Sequence, residues 1–249
     1  MTEGNVIKWI SHERISDTGE ISLICFPYAG GSSTYFAPLK AHIDRRINVL
    51  PVLYPGREKN IRIKPFDTVE ETAYAFAKDN PELFDGRYAF LGHCTGSLFA
   101  YETALLAQQL YGTRAELLIA SSSPAPSCEQ FFPKKAYTDA ELKEHLVQSG
   151  MIDSEFAEDE FFSSYFLPLL KKDLDMHLKY TPASPCRKID TPVLVMYGSD
   201  DEIFRDEETI NRWADFTDRE VSAKRFRGGH FYIDSDRQEA GKAISDALL

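Results

Sequence analysis

Short apolar runs alternate with longer amphipathic stretches along most of the chain. Runs typical of buried strands are Ile21 to Phe26, Ile47 to Tyr54, Tyr88 to Gly92, Glu116 to Ala120, Pro192 to Tyr197 and the less apolar Val221 to Phe226. Stretches with a helical period are Tyr35 to Ile43, Thr68 to Lys78, Ser97 to Tyr111, Glu207 to Phe216 and Arg237 to Leu248. This alternation predicts an α/β fold, with a mostly parallel sheet covered by helices on both faces.

The alternation stops between about residues 125 and 185. Both ends of this stretch are rich in Pro and Ser, and only helical patterns lie between them. Thr138 and Glu141 have the spacing of a capping box, as do Thr68 and Glu71 earlier in the chain. We therefore predict one domain over residues 1–249 with a helical insertion. The apolar content of the insertion indicates a lid that covers an active site. The alternative is a helical excursion packed on the sheet edge.

The segment Gly92-His93-Cys94-Thr95-Gly96 joins the third predicted strand to an apolar helix. A strand, a sharp turn and a helix are the setting of the nucleophile elbow G-x-S-x-G, here with cysteine in place of serine. The two glycines remove side chains that would collide in the strained turn. Cys94 is therefore the candidate nucleophile, and the chemistry that follows is covalent acyl transfer. His93 is expected to support the elbow, because it cannot easily fold back onto its own neighbour.

Two partners follow the elbow in the order nucleophile, acid, histidine, which is the order of α/β-hydrolases. The strand that ends at Tyr197 is followed by Asp200 and Asp201, and His230 follows a pair of glycines near the C-terminus. His230 would take the thiol proton, while an aspartate would orient the imidazole and stabilise its charge. Only one of the two adjacent aspartates can meet His230, and the spacing Gly-x-x-Asp favours Asp201 over Asp200.

An acyl-transfer site also needs donors for the oxyanion that forms on the substrate carbonyl. One donor is expected to be the backbone N–H of Thr95, immediately after the nucleophile. The other should come from the loop after the first strand, Pro27 to Ser32, where two glycines permit close backbone approach. Ala29 is the preferred residue there, ahead of Tyr28.

Charge and cysteine content narrow the possible partners. The net charge of -11 argues against a nucleic acid or an anionic membrane surface. The four cysteines are far apart, which indicates neither a disulfide framework nor a zinc site. No metal or organic cofactor is indicated, and no run of about 18 apolar residues predicts a membrane span. Without a signal-peptide pattern at the N-terminus, we expect a cytoplasmic protein, and we expect it to be a monomer.

Four cations lie within eight residues of the acidic chain: Arg57, Lys59, Arg62 and Lys64. Such a run is commonly a solvated loop. It is also a candidate docking patch for an acidic partner or a phosphate-bearing substrate. On the second interpretation, reversing the charge of Arg57 and Lys59 would weaken binding of that partner.

The chain resembles the type II thioesterases that accompany nonribosomal peptide and polyketide synthases. The stretches that carry the resemblance span most of the chain in order: Leu23 to Ser32, Tyr54 to Glu58, Pro65 to Thr68, Gly92 to Gly96, Phe166 to Asp173 and Gly228 to Phe231. The resemblance implies an α/β-hydrolase that removes wrong or stalled acyl groups from the phosphopantetheine arm of carrier proteins. It also implies that Cys94, Asp201 and His230 are the catalytic triad and that the insertion is a lid shaping an acyl channel.

The cysteine departs from this family, which normally has serine as its nucleophile. Transfer of an acyl group from phosphopantetheine to Cys94 exchanges one thioester for another and leaves the acyl group activated. Three hypotheses follow. The protein is an editing hydrolase that uses cysteine, an acyltransferase or cyclising enzyme that passes the acyl group to an amine or thiol, or a Ser→Cys variant of the hydrolase that traps an intermediate. A further enzyme alternative is a small-molecule esterase, and a non-enzymatic one is a carrier-binding module with a degenerate site.

Overall fold

The computed structural model describes residues 6–10, 19–126, 137–148, 152–183, 186–204 and 206–249. Within them, six parallel strands form one sheet in the order β2-β1-β3-β4-β5-β6. The strands are β1 (Ile21–Phe26), β2 (Ile47–Pro51), β3 (Tyr88–His93), β4 (Leu118–Ser121), β5 (Val193–Gly198) and β6 (Val221–Phe226). The prediction of a mostly parallel sheet is confirmed.

The helices of the described residues lie between these strands, in the insertion or after β6. They are α1 (Ala37–Lys40), α2 (Val69–Asp79), α3 (Gly96–Tyr111), α4 (Asp139–Gln148), α5 (Ser154–Glu158), α6 (Leu167–Lys179), α7 (Glu208–Asn211), α8 (Tyr232–Ser235) and α9 (Arg237–Leu248). Two predicted helices differ in form. A 3-10 turn precedes α1, and another follows α7, so each prediction covers an α and a 3-10 segment.

Alternate residues of each central strand pack on opposite faces of the sheet. In β1, Ile24 and Phe26 belong to the core cluster that includes α2 and α3. Leu23 and Cys25 belong to a second cluster, which includes α1 and α9. Because side chains alternate along a strand, a run that is apolar at every position is buried on both faces. The expected helices on both faces are thus confirmed.

The two outer strands of the sheet, β2 and β6, differ in how well they are covered. An N-terminal segment covers β2, where Leu53 donates its N–H to the Trp9 carbonyl and Val52 forms an antiparallel bridge with Ile10. β6 instead exposes four consecutive residues, Ser222 to Arg225, which explains its low apolar content. Charged side chains such as Lys224 and Arg225 on an exposed outer strand disfavour pairing with another chain.

The described part of the insertion is helical, from α4 to α6. Thr138 and Glu141 exchange side-chain and backbone hydrogen bonds at the start of α4, as the capping-box spacing predicts. A π-turn at Phe162–Phe166 runs directly into α6. The sequence pattern does not predict this π-turn. Residues 127–136, 149–151 and 184–185 of this region lie outside the described residues, and so do Cys128 and the predicted end at Pro185.

Within the described ranges, no helix combines the length and the apolar character that crossing a membrane requires.

Candidate active site

Cys94 lies at the turn between β3 and α3 with a backbone φ of 56°. This left-handed conformation is strained for a residue with a side chain, and it occurs where the surrounding structure enforces it. A Cβ atom at Gly92 would lie 2.4 Å from the Ser97 backbone, and one at Gly96 would lie 2.1 Å from the Phe26 carbonyl oxygen. Both elbow positions therefore require glycine, because the backbone of the turn is packed against its neighbours.

His230 and Asp201 meet beside this turn, although 29 residues separate them along the chain. The imidazole Nδ1 lies 3.0 Å from Asp201 Oδ2, and both side chains are almost completely buried. The other carboxylate oxygen of Asp201 accepts the N–H of Ile203. Asp200 is exposed and bonded to Ser199 instead. Of the two adjacent aspartates, Asp201 is the one that the fold turns towards the histidine.

The surroundings of His230 favour its protonated form. Burial opposes a charge on the imidazole, but hydrogen bonds to Asp201 and Cys94 outweigh it and raise the pKa of His230 to about 10. A protonated imidazole between a carboxylate and a sulfur is an arrangement typical of enzymes with a cysteine nucleophile.

The backbone next to His230 is fixed from two sides. A Cβ atom at Gly198, the last residue of β5, would lie 2.1 Å from the Gly229 carbonyl oxygen, so the strand end and the turn before His230 are in close contact. Ser122, which follows β4, donates its hydroxyl to the His230 carbonyl over 2.7 Å. Ser122 also has a positive φ, of 45°. The histidine is therefore positioned by the ends of two strands.

The backbone N–H groups of Ala29 and Thr95 are the expected oxyanion donors. Ala29 follows β1 and lines the same cavity as Cys94, and Thr95 directly precedes α3. Neither N–H donates to an acceptor among the described residues, whereas the N–H groups of Gly30 and Gly31 both do. Two free donors beside a nucleophile are what a developing oxyanion requires.

His93 is buried behind the elbow and does not face the substrate cavity. Its Nδ1 is 3.0 Å from the Ser121 hydroxyl, which in turn bonds the Tyr232 hydroxyl at 2.7 Å. Burial, and then the charge on His230, keep the pKa of His93 well below its usual range. A neutral imidazole here adds no second positive charge beside His230, so the geometry fits a supporting role for His93.

Arg57 requires a correction. We expected it on an exposed docking patch, but it is 2% exposed and forms a 2.8 Å ion pair with Asp173 of α6. Its second amino group donates to the Gly31 carbonyl. A buried guanidinium with these partners cannot contact a carrier protein, so Arg57 is not part of a docking surface. Lys59 is exposed and stays a docking prediction.

A cavity of about 550 Å³ opens above Cys94 and His230. The sheet edge provides its polar floor, and the insertion provides an apolar wall. The side chains of this wall are Leu146, Phe156, Phe161, Tyr165, Phe166 and Leu170. Asp153 and Asp234 are exposed residues that also line it. An apolar wall facing a nucleophile and free N–H donors suits an acyl chain attached to a reactive carbonyl.

Sequence reasoning missed several residues that shape the site. Asp173 and Glu58 are bonded to the loop that contains Ala29, and Ser122 fixes His230. Asp173 lies 143 residues from its partner Gly30, so local patterns carry no signal for this contact. The one available hint is that both Arg57 and Asp173 fall in stretches that carry the family resemblance.

Comparisons with known proteins identify the family of the chain. The chain matches the thioesterase domain over residues 21–246. It is 30% identical to the thioesterase PikA5 of Streptomyces venezuelae over 242 residues, which cover 97% of this chain and 85% of that protein.

Solved structures give the same result. The RedJ thioesterase from the prodiginine biosynthetic pathway of Streptomyces coelicolor superposes with a TM-score of 0.83 at 28% identity, covering 92% of this chain and 86% of that one. The type II thioesterase BorB from the borrelidin biosynthetic cluster also gives 0.83, at 29% identity, with 97% and 98% covered.

Proposed function

The chain belongs to the thioesterase domain family and is a thioester hydrolase of the α/β-hydrolase type, and from this we propose that it acts as a type II thioesterase on carrier proteins. Its substrates are acyl, aminoacyl or peptidyl groups attached to the phosphopantetheine arm of a nonribosomal peptide or polyketide synthase. The observation that carries the proposal is the meeting of Cys94, His230 and Asp201 at the floor of a cavity with an apolar wall.

The proposed reaction has two halves. In the first, Cys94 Sγ attacks the thioester carbonyl, and the N–H groups of Ala29 and Thr95 stabilise the oxyanion. Collapse of this intermediate breaks the bond to the phosphopantetheine sulfur, which leaves with the proton held by His230. In the second, His230 takes a proton from water, the resulting hydroxide attacks the acyl-cysteine, and the free acid and Cys94 are released.

Asp201 orients the imidazole throughout this cycle. Its carboxylate faces Nδ1 of His230, so Nε2 is directed at the sulfur and the reacting water. The substrate supplies the phosphopantetheine, and the proposal needs no cofactor bound by this chain. A free nucleophilic thiol suits a reducing compartment such as the cytoplasm. We expect the protein to act there as a monomer.

The test is intact-protein mass spectrometry after mixing the enzyme with an acetyl-loaded peptidyl carrier protein. We expect transient acetylation of wild-type protein at Cys94 and release of acetate. Cys94→Ala should show neither product. Equal acetate release by wild type and Cys94→Ala would contradict the proposal.

Acyl transfer is the second candidate, and the thiol nucleophile is the observation that favours it. An acyl-cysteine remains a thioester and reacts with amines and thiols as well as with water. The same incubation with an added amine, such as glycine methyl ester, separates the two activities. An amide product would support transfer, whereas free acetate alone would support hydrolysis.

The thiol itself is tested by Cys94→Ser. If the natural enzyme of this lineage uses serine, the serine variant should release acetate faster than wild type and accumulate less acyl-enzyme. If cysteine is the native nucleophile, the serine variant should be slower, because a hydroxyl is a weaker nucleophile than a thiolate at neutral pH.

A further inference from the structure

Asp173 of α6 is buried beside the loop that holds Ala29, and its two carboxylate oxygens have different partners. One oxygen accepts the N–H of Gly30 over 2.7 Å. The other accepts a hydrogen bond from Arg57 over 2.8 Å. Arg57 also donates to the Gly31 carbonyl over 2.9 Å, which closes a ring of contacts around two consecutive residues of the loop.

These contacts determine where the Ala29 N–H points. The Tyr28 carbonyl accepts the N–H of Gly31 over 2.8 Å, so it is directed into the turn. In a trans peptide the N–H points opposite to the carbonyl of the same unit, and the Ala29 N–H is therefore directed out of the turn. The bonds from Asp173 and Arg57 to Gly30 and Gly31 hold the turn in this form.

The inserted helices pack directly on the same turn. Gly30 has a φ of +76°, and a Cβ atom there would lie 3.2 Å from Leu170 and from the Phe166 ring. Glu58 holds the far end of the loop through the N–H and hydroxyl of Ser33, at 3.0 and 2.7 Å. The loop is thus fixed by α6 on one side and by the segment after β2 on the other.

We propose that Asp173 and Arg57 are positioning residues that make the oxyanion hole depend on the docking of α6 against the core. While α6 is packed on the loop, Asp173 fixes Gly30 and the Ala29 N–H faces the reacting carbonyl. When α6 moves away, Gly30 loses its acceptor and Arg57 loses its counter-ion, so the donor is no longer held. The insertion then controls the chemical step and not only access to the cavity. This inference rests on the proposed function, because it assigns a role within that reaction.

The experiment compares Asp173→Ala and Asp173→Asn with wild type in two reactions of Cys94. Acetylation by an acetyl-loaded peptidyl carrier protein passes through an oxyanion, whereas alkylation by iodoacetamide does not. Asparagine keeps an acceptor for Gly30 but lacks the charge for Arg57. We expect the acetylation rate to fall about 10- to 100-fold in Asp173→Ala, because a misplaced oxyanion donor costs less than a missing one. The rate should fall less in Asp173→Asn, which keeps the acceptor for Gly30. The alkylation rate should stay within about twofold of wild type.

Glu102→Ala is the matched control. Glu102 is another buried carboxylate paired with an arginine, Arg187, which follows α6 in the chain. The hydrogen-bond donors to its carboxylate are Tyr180 and Arg187, which lie outside the oxyanion loop. Its acetylation rate should stay within about twofold of wild type.

Three results would overturn the inference. Acetylation of Asp173→Ala at the wild-type rate would show that the loop needs no support from Asp173. A parallel fall in acetylation and alkylation would show a general structural role. Wild-type protein that leaves the loaded carrier intact, while still being alkylated at Cys94, would contradict the proposed function itself and remove the basis of this inference.

Discussion

The sheet edge and the inserted helices line one cavity, but they hold their residues in different ways. Cys94, Asp201 and His230 each follow a strand, and backbone packing and hydrogen bonds fix all three. In the wall contributed by the insertion, side chains contact one another through their rings, as Phe156 and Phe166 do. Changes at the sheet edge should therefore lower kcat, whereas changes in the side chains of the apolar wall should alter KM and acyl selectivity.

The largest effect is expected from removing the nucleophile at the sheet edge. Cys94→Ala should lower kcat/KM for a carrier-bound acetyl group by roughly 10⁴-fold or more, because an alanine side chain cannot form the proposed acyl-enzyme. The rate of radiolabelled acetate release measures this loss of kcat/KM. Cys25→Ala is the matched control, because Cys25 is buried in the core and lines no part of the cavity. A similar loss in both variants would place the chemistry elsewhere.

The next effect comes from the two adjacent aspartates. Asp201→Asn should lower kcat by roughly 10²- to 10⁴-fold, since an amide no longer stabilises the charged imidazole or fixes its tautomer. Asp200→Asn should stay within about twofold of wild type, because its carboxylate is exposed and accepts a hydrogen bond from Ser199, outside the pair formed by Asp201 and His230. Steady-state kinetics of the pair decides between them. A larger loss in Asp200→Asn would overturn the assignment of Asp201.

The charged site should also make stability depend on pH in a way that the insertion does not. His230 has a pKa raised from 6.5 to about 10 in the folded protein. A raised pKa contributes stability that is complete below the unfolded value and is lost as the pH rises through the folded value. We therefore expect the free energy of unfolding to fall between about pH 6.5 and 10 by up to a few kcal/mol. Urea titrations across this range should show a flatter profile in His230→Gln.

A smaller effect is expected from the wall of the insertion. Phe161 lines the cavity although 54% of it is exposed. Phe161→Ala should raise KM for a long acyl chain about 3- to 10-fold while leaving kcat for an acetyl group nearly unchanged, because it removes apolar contact area and no reacting group. Tyr74→Ala is the control, an aromatic residue of α2 with 47% exposure that lies outside the cavity. A fall in kcat for both chain lengths would contradict this division of roles.

The smallest effect concerns carrier docking. Lys59→Glu should raise KM for a carrier-bound substrate about twofold, in line with the weak energies of exposed charge contacts. KM for a small acyl thioester of N-acetylcysteamine should not change. An equal KM for the carrier substrate in Lys59→Glu and wild type would remove this surface from consideration.

Much of the sheet edge was predictable because its signals are local. The glycines around Cys94 and the apolar run before it specify the turn within a few residues. The alternation of strands and helices then predicts that Cys94, Asp201 and His230 lie close together, because the carboxyl ends of parallel strands meet at one edge of the sheet. Only the boundaries shifted, as at β2, which ends at Pro51 and not at Tyr54.

The contacts of the insertion were not predictable in the same way. The three cations near Arg57 predict a surface charge at this position, but charge alone does not show burial. Its partner Asp173 is 116 residues away, and only the packing of α6 on the oxyanion loop brings them together. The π-turn before α6 likewise depends on tertiary packing, because propensities specify helix but not an extra residue in one turn.

The π-turn at Phe162–Phe166 lies near the start of its helix and sets the rotational position of Phe161 relative to α6. A π-turn holds one more residue than an α-turn, and one residue corresponds to a rotation of about 100° about the helix axis. Deleting a single residue there would rotate Phe161 out of the cavity wall while α6 kept Asp173 against Arg57. A deletion or insertion of one codon at this place would therefore change the acyl-binding surface in a single evolutionary step without disturbing catalysis.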